Sequence, residues 1–264
     1  MFGVFQLMKF QNKVVVVTGA SRGIGQAICE AFAREGATVV GVARSDLAGT
    51  GAAVKAAGGA FLAHNADLGT GTQMKSHDII AQILAKTGRI DALVNNAGII
   101  RRAPAKDFSE ADWNAVIATN LNSPFFLMQA VGKWWIESGR AKASENSRLK
   151  LVNIASLLSF QGGITVPAYA ASKHGIAGVT KALANEWARE RINVNAIAPG
   201  YIATENTRAL REDPVRNKAI LDRIPEGRWG EAKDIAGGCV FLASDDSDYL
   251  NGAVLNIDGG WMGR

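Results

Sequence analysis

Lys13-Val-Val-Val-Val-Thr18-Gly19-Ala-Ser-Arg-Gly23-Ile-Gly25 decides the fold. A β-branched run predicts a strand up to Thr18, and the glycines predict a tight loop after it. Beyond Gly25, the apolar positions Ile28, Phe32 and Ala33, ending at Glu35-Gly36, follow helical spacing. Strand, glycine loop and helix in that order suit the binding of a pyrophosphate. Glycine lets the backbone come close, the helix start offers unpaired N–H groups, and Gly25 permits tight packing of helix on sheet. The spacing Gly19, Gly23, Gly25 differs from the commoner G-x-G-x-x-G, and an ordinary tight turn is the alternative.

The alternation continues outward. Further strands are expected over Ala37–Val42, Ala60–Asn65, Ile90–Val94, Leu149–Ile154, Ile192–Ile197 and Val254–Ile257. Helices are expected over 46–57, 72–87, 109–138, 169–191 and 231–243. There is no tandem repeat and no linker. The pattern predicts an α/β fold, a single-domain Rossmann-type doubly wound parallel sheet of about seven strands with helices on both faces, spanning 1–264. Residues 1–12 read as an N-terminal tail, 139–148 as an exposed loop, and the charged stretch 205–228, broken by Pro214 and Pro225, as a mobile substrate lid.

Composition fits this reading. Of 264 residues 48% are hydrophobic and 20% charged, which excludes a disordered or membrane chain. No apolar run approaches the roughly 20 residues of a spanning helix. Met1–Met8 lacks a basic n-region and a cleavage site, so it is no signal, and Met8 is an equal candidate start. The net charge of +5 is scattered without a run of four basic residues, which speaks against nucleic acid and is compatible with an anionic substrate. Cys29 and Cys239 have no metal-ligand spacing with His64, His77 or His174. They read as buried thiols of a cytoplasmic protein, and no metal site is expected.

The second strand ends at Ala43-Arg44-Ser45, where an acidic residue would hold the ribose 2′-hydroxyl of NAD and an arginine would accept the 2′-phosphate of NADP. Arg44, with Arg22 in the loop, favours NADP(H), with NAD(H) left open and plain solvent exposure of both arginines as the alternative. Asp67 ends the third strand and would either meet the adenine amino group or cap the next helix. Asn95-Asn-Ala97-Gly98 ends the fourth and suits backbone bonding that seats the cofactor ribose. Arg101-Arg102 follows on a loop over the cleft, where one of them would suit a carboxylate, with plain solvated surface as the alternative. Asn120 and Pro124 inside the long 109–138 helix predict a kink with a freed carbonyl and a water site. Pro199-Gly200 and the turn through Ile202 to Thr204 would lie against the nicotinamide amide.

Ser156 to Lys173 carries the chemistry. If Pro167 opens a helix, Tyr169 and Lys173 lie one above the other on one face. A cation beside the phenolate would lower its pKa from about 10. Ser156, where a strand ends, would bond the same substrate oxygen. Tyr-x-x-x-Lys alone also occurs by chance in many helices.

Taken together, Thr18-Gly19-x-x-x-Gly23-Ile24-Gly25, Asn95-Asn-Ala-Gly98, Asn120, Ser156, Tyr169-x-x-x-Lys173 and Pro199-Gly200 resemble the short-chain dehydrogenase/reductase family over nearly the whole chain. The resemblance implies Tyr169 as general acid/base and Lys173 as the residue that holds the nicotinamide ribose and lowers the phenol's pKa. It implies Ser156 orienting the reacting oxygen, Asn120 anchoring a water in a proton relay, a cofactor site over Gly19, Ser21, Arg22, Gly23, Ile24 and Gly25, and a homotetramer. Ile99-Ile-Arg-Arg102, Ser159-Phe-Gln-Gly-Gly163, Ala184-Asn-Glu-Trp-Ala188, Asp222-Arg-Ile-Pro225 and Gly227-Arg-Trp-Gly230 are similar to the bacterial 2-deoxy-D-gluconate 3-dehydrogenases, also called 2-dehydro-3-deoxy-D-gluconate 5-dehydrogenases. That likeness implies a sugar-acid substrate gripped by Arg101, Arg102, Gln161 and Arg208, although those enzymes are generally described as NAD-dependent. Reduction of a 4-deoxy-5-keto-uronate from alginate, reduction of a 3-oxoacyl thioester and a non-catalytic dinucleotide sensor are the competing readings.

Overall fold

The computed structural model describes residues 8–143 and 147–264. The chain alternates β1 (Val14–Thr18), α1 (Gly23–Arg34), β2 (Thr38–Ala43), α2 (Ala48–Ala56), β3 (Ala60–Asn65), α3 (Gln73–Thr87) and β4 (Ala92–Asn95). It continues with α4 (Glu110–Ile117), α5 (Ser123–Glu137), the short α6 (Arg140–Ala143), β5 (Leu149–Ile154), α7 (Pro167–Trp187) and β6 (Ile192–Pro199). Then come α8 (Arg208–Glu212), α9 (Pro214–Leu221), α10 (Ala232–Ala243) and β7 (Val254–Ile257). The strands form one parallel sheet of seven in the order β3-β2-β1-β4-β5-β6-β7. The order reverses between β1 and β4, which opens a crevice at the strands' C-terminal ends.

Both faces of the sheet are covered because successive strand residues point to opposite sides. Val14 and Val16 of β1 join a core under α3, α5 and α7, whereas Val15 and Val17 join a second core under α1, α2 and α10. The second core also takes in Phe10, fully buried and edge-on to Phe32 at 4.9 Å. This corrects the reading of 8–12 as tail: an apolar ring had a partner in α1 and left water. Residues 1–7 of that stretch lie outside the described residues.

Two other expectations change. The 109–138 region is not one kinked helix. Ser109 caps α4 through the Asp112 N–H at 3.1 Å, and a π-helical turn over Ala118–Asn122 joins α4 to α5. The wider turn, rather than a proline kink, turns the buried Asn120 side chain toward the loop after β4. Within 139–148, residues 140–143 form the helical turn of α6, with the Arg140 guanidinium 5.1 Å from the Trp134 ring, while 144–146 lie outside the described residues.

Candidate active site

A cleft of about 820 Å³ runs along the C-terminal ends of β1, β2, β4, β5 and β6. Its floor is set by the glycine loop. Gly19 has φ +65°, and a Cβ on Gly25 would stand 2.2 Å from the Gly19 carbonyl oxygen, so helix and loop touch backbone to backbone. Asn96 locks that contact: its Nδ2 donates to the carbonyls of Thr18 (2.9 Å) and Gly19 (3.2 Å), and its N–H donates to Thr18 Oγ1. Gly23, at φ +57°, faces open space, with only Thr204 Cγ2 within 4 Å of a would-be Cβ. Arg22 precedes α1 in an extended conformation and makes no side-chain cap, so the first-turn N–H groups of α1 are left for a ligand. This cradle suits a dinucleotide pyrophosphate.

The predicted cofactor residues Gly19, Ser21, Arg22, Gly23, Ile24, Gly25, Arg44, Asp67, Ala97, Gly98, Pro199, Gly200, Ile202 and Thr204 line the cleft together with Ser156, Tyr169 and Lys173. Arg22 and Arg44 are exposed, and neither makes an ion pair among the described residues. Between them Ser45 donates to Ser21 at 2.9 Å. Asp67 does not cap α3. Its carboxylate accepts from the Gly69 N–H at 2.8 Å, a local turn on the cleft wall.

Asn95 stands apart. It is buried on the opposite side from Asn96, and its Nδ2 donates to Asn153 Oδ1 at 2.9 Å, which in turn is tied to Thr180 of α7 at 3.0 Å. Neighbouring strand residues face opposite ways, so the cleft-side amide is Asn96, and Asn95 instead joins, through Asn153, the contact that ties α7 to the sheet.

That anchoring matters because α7 presents Tyr169 and Lys173 to the cleft. Pro167 sits at its first turn, and Tyr169 and Lys173 follow one turn apart. Ser156, just past the end of β5, lines the cleft with the phenol and acts to lower its pKa. Lys173 is buried, and its Nζ donates to the Ile154 carbonyl at 2.6 Å and lies 5.5 Å from the Tyr169 ring centroid. Burial lowers the Lys173 ammonium to about 8. Burial also holds the phenol above its ordinary value, opposed by the Ser156 hydroxyl and the Arg102 charge. The expected lowering by Lys173 is not found in the protein alone, because the ammonium is itself pushed toward neutrality and is spent on a carbonyl.

Asn120 is fully engaged. Its Oδ1 accepts from the Ile99 N–H (2.9 Å), and its Nδ2 donates to the Ile99 carbonyl (2.9 Å) and to Ser172 Oγ (3.2 Å). It therefore fixes the loop after β4 to α7, beside Lys173.

The expected substrate residues separate. Arg101 lines the cleft but is paired with Asp112 at 3.2 Å. Arg208 is exposed and paired with Glu205 (2.6 Å) and Glu212 (3.9 Å). Gln161 accepts from the Trp261 indole at 3.3 Å. Arg102 makes no ion pair among the described residues and acts electrostatically on Tyr169. The sequence reading missed Arg211, whose Nη2 donates to the Thr204 carbonyl at 3.0 Å and whose Nε is buried without a partner among the described residues.

The short chain dehydrogenase family model matches residues 13–215. The chain belongs to the short-chain dehydrogenase family. It is an NAD(P)-dependent oxidoreductase of that family. Among relatives, the 2-dehydro-3-deoxy-D-gluconate 5-dehydrogenase of Dickeya dadantii is 46% identical over 262 residues, covering 99% of this chain and all of the relative. The enzyme of the same name from Bacillus subtilis is 49% identical over 255 residues, 96% of each chain. Among solved structures, an Agrobacterium tumefaciens protein described as a 2-deoxy-D-gluconate 3-dehydrogenase with bound NADP superposes with a TM-score of 0.89 at 50% identity, covering 98% of this chain and all of that one.

Proposed function

We propose that this dehydrogenase interconverts a keto and a hydroxyl group on a deoxy sugar acid of the 2-keto-3-deoxygluconate class, with NADP(H) preferred. The reading is carried by one cleft that joins a glycine cradle and two arginines without an ion pair among the described residues at one end to Ser156 and the Tyr169 phenol at the other. Its substrate class is supported by relatives so named that match essentially the full chain, lid included.

Bound nicotinamide dinucleotide supplies or accepts the hydride. The chain's own residues handle the proton. In reduction Tyr169 donates its phenolic proton to the carbonyl oxygen, and in oxidation the phenolate takes the proton of the alcohol. Ser156, on the cleft lining with the phenol, orients the same oxygen. Lys173 fixes the pocket floor at Ile154 and stands one helical turn from the phenol. Asn120 acts as a positioning residue for Ile99 and α7. Arg102, without an ion pair among the described residues and felt by the phenol, takes the substrate carboxylate, whereas Arg101 and Arg208 already spend their charges on acidic neighbours. Arg22 and Arg44 flank the place of a 2′-phosphate. Residues 205–228 act as the lid over a single domain.

We further infer a cytoplasmic homotetramer. The two cysteines are free and buried, and no helix among the described residues is long and apolar enough to cross a membrane. Among the described residues nothing pairs with the outer edge of β7, and Phe241 and Tyr249 are exposed. Mass measurement in solution tests the assembly. The function is tested by following nicotinamide absorbance with NADPH and NADH against a 3-deoxy-diketo-hexonate. Faster turnover with NADPH is expected, and no turnover with either coenzyme would overturn the substrate class.

A further inference from the structure

Three parts of the molecule that are distant in sequence meet on its C-terminal turn. Trp261 is buried and packs with Leu157, the residue after Ser156, and with Ile220 and Ile224 of the lid. Its ring lies 4.7 Å from that of Tyr201, and the Arg223 guanidinium lies 4.1 Å from its centre. Its indole N–H donates to Gln161 Oε1 at 3.3 Å.

The turn that presents Trp261 is constrained. Asp258 accepts from the N–H groups of Gly260 and Met262, both at 2.9 Å, and the Glu226 N–H donates to the Gly259 carbonyl at 3.0 Å. Gly259 and Gly260 have φ of +64° and +88°. A Cβ on either would reach 3.0 Å from Ile224 or Pro225. The far half of the lid therefore lies directly on the C-terminal backbone. The near half is held differently: α8 buries no residue, and Arg211 and Thr207 tie it to Thr204 and Ile202.

We propose that Trp261 is a positioning residue of the substrate site, fixing Gln161 through its N–H and the 220–225 segment of the lid through its ring. The C-terminal turn thereby becomes one wall of the site beside Ser156, and lid movement is confined to the near half. This rests on the sugar-acid reading above, in which the lid covers the substrate, and on the sequence-based expectation that Gln161 meets it.

The test uses the full chain carrying Trp261→Phe, Trp261→Ala, Gln161→Leu and the Phe/Leu double substitution. Loss of the indole N–H in Trp261→Phe is expected to raise KM for the keto-deoxy sugar acid about tenfold, as for one hydrogen bond to a half-buried amide, with NADPH affinity unchanged. Adding Gln161→Leu to it is expected to change KM no further. Trp261→Ala is expected also to speed backbone hydrogen exchange across 214–226 while leaving α1 as in the wild type. Wild-type KM in Trp261→Phe, additive effects in the double variant, or unchanged exchange in Trp261→Ala overturns the proposal. If the wild type turns over no sugar acid, the substrate reading fails by itself. The exchange comparison, which needs no substrate, then decides whether Trp261 holds the lid.

Discussion

The Lys173 ammonium lies 5.5 Å from the centre of the Tyr169 ring, one helical turn away, and donates its short bond to the Ile154 carbonyl rather than to the phenol. Two groups that titrate are thus buried side by side, and each is pushed toward its neutral form. The pocket holds them at an energetic disadvantage.

For Lys173 the sign follows from its lowered value of about 8 against an ordinary 10.5. Below pH 8 the folded protein carries a buried ammonium at a cost of about 3 kcal/mol, which fades as pH rises toward 10.5. Lys173→Met removes that cost and loses one hydrogen bond worth about 1 kcal/mol. The variant is expected to be inactive, yet more stable than wild type at pH 7 by about 2 kcal/mol, with the gap closing above pH 9. Urea denaturation at pH 7 and 9.5 checks this. A variant less stable at pH 7 would contradict it.

Tyr169 titrates the other way. Its phenol is expected to ionise above its ordinary value in the free protein, seen as the part of the 295 nm absorbance change that wild type shows and Tyr169→Phe lacks. The same substitution is expected to cut turnover by about a thousandfold, within the usual range for a general acid, with cofactor affinity nearly intact. Substantial residual activity would remove Tyr169 from the mechanism.

Arg44 lines the cleft, is exposed and carries no ion pair among the described residues, so its replacement disturbs no internal contact. Arg44→Ala is expected to weaken NADPH by roughly 10- to 100-fold, as for a charged hydrogen bond, and to leave NADH unchanged. Fluorescence titration with both coenzymes decides. Equal losses for the two would mean that Arg44 does not meet a 2′-phosphate.

Local patterns were legible because their causes are local. Valine runs, glycines at Gly19, Gly23 and Gly25 and the Pro167-to-Lys173 spacing give the strand, the cradle and the reactive helix face without knowledge of the rest of the chain. The choice between Asn95 and Asn96 was lost because one residue reverses the face of a strand, and composition cannot show which face is the cofactor's. Phe10, Arg211 and Trp261 were invisible for another reason. Their roles come from partners brought up by the fold, namely Phe32, the Thr204 carbonyl and Gln161. The phenol's upward shift likewise depends on depth of burial, which a Tyr-x-x-x-Lys spacing does not encode.

Gly23 and Gly25, two residues apart, separate folding from binding. A methyl on Gly25 would meet the Gly19 carbonyl oxygen at 2.2 Å and Asn96 Nδ2 at 2.6 Å, and backbone has no rotamer in which to yield. Gly25→Ala is expected to destabilise the protein by about 2 to 3 kcal/mol and to break the Asn96 lock on the loop. Gly23 meets no wall, so Gly23→Ala costs only the left-handed backbone conformation, about 1 to 2 kcal/mol, while its methyl projects into the cradle. Dinucleotide affinity is therefore expected to fall in both variants, with the larger drop in melting temperature for Gly25→Ala. If Gly23→Ala binds NADPH and NADH as wild type does, the pyrophosphate does not rest on this loop.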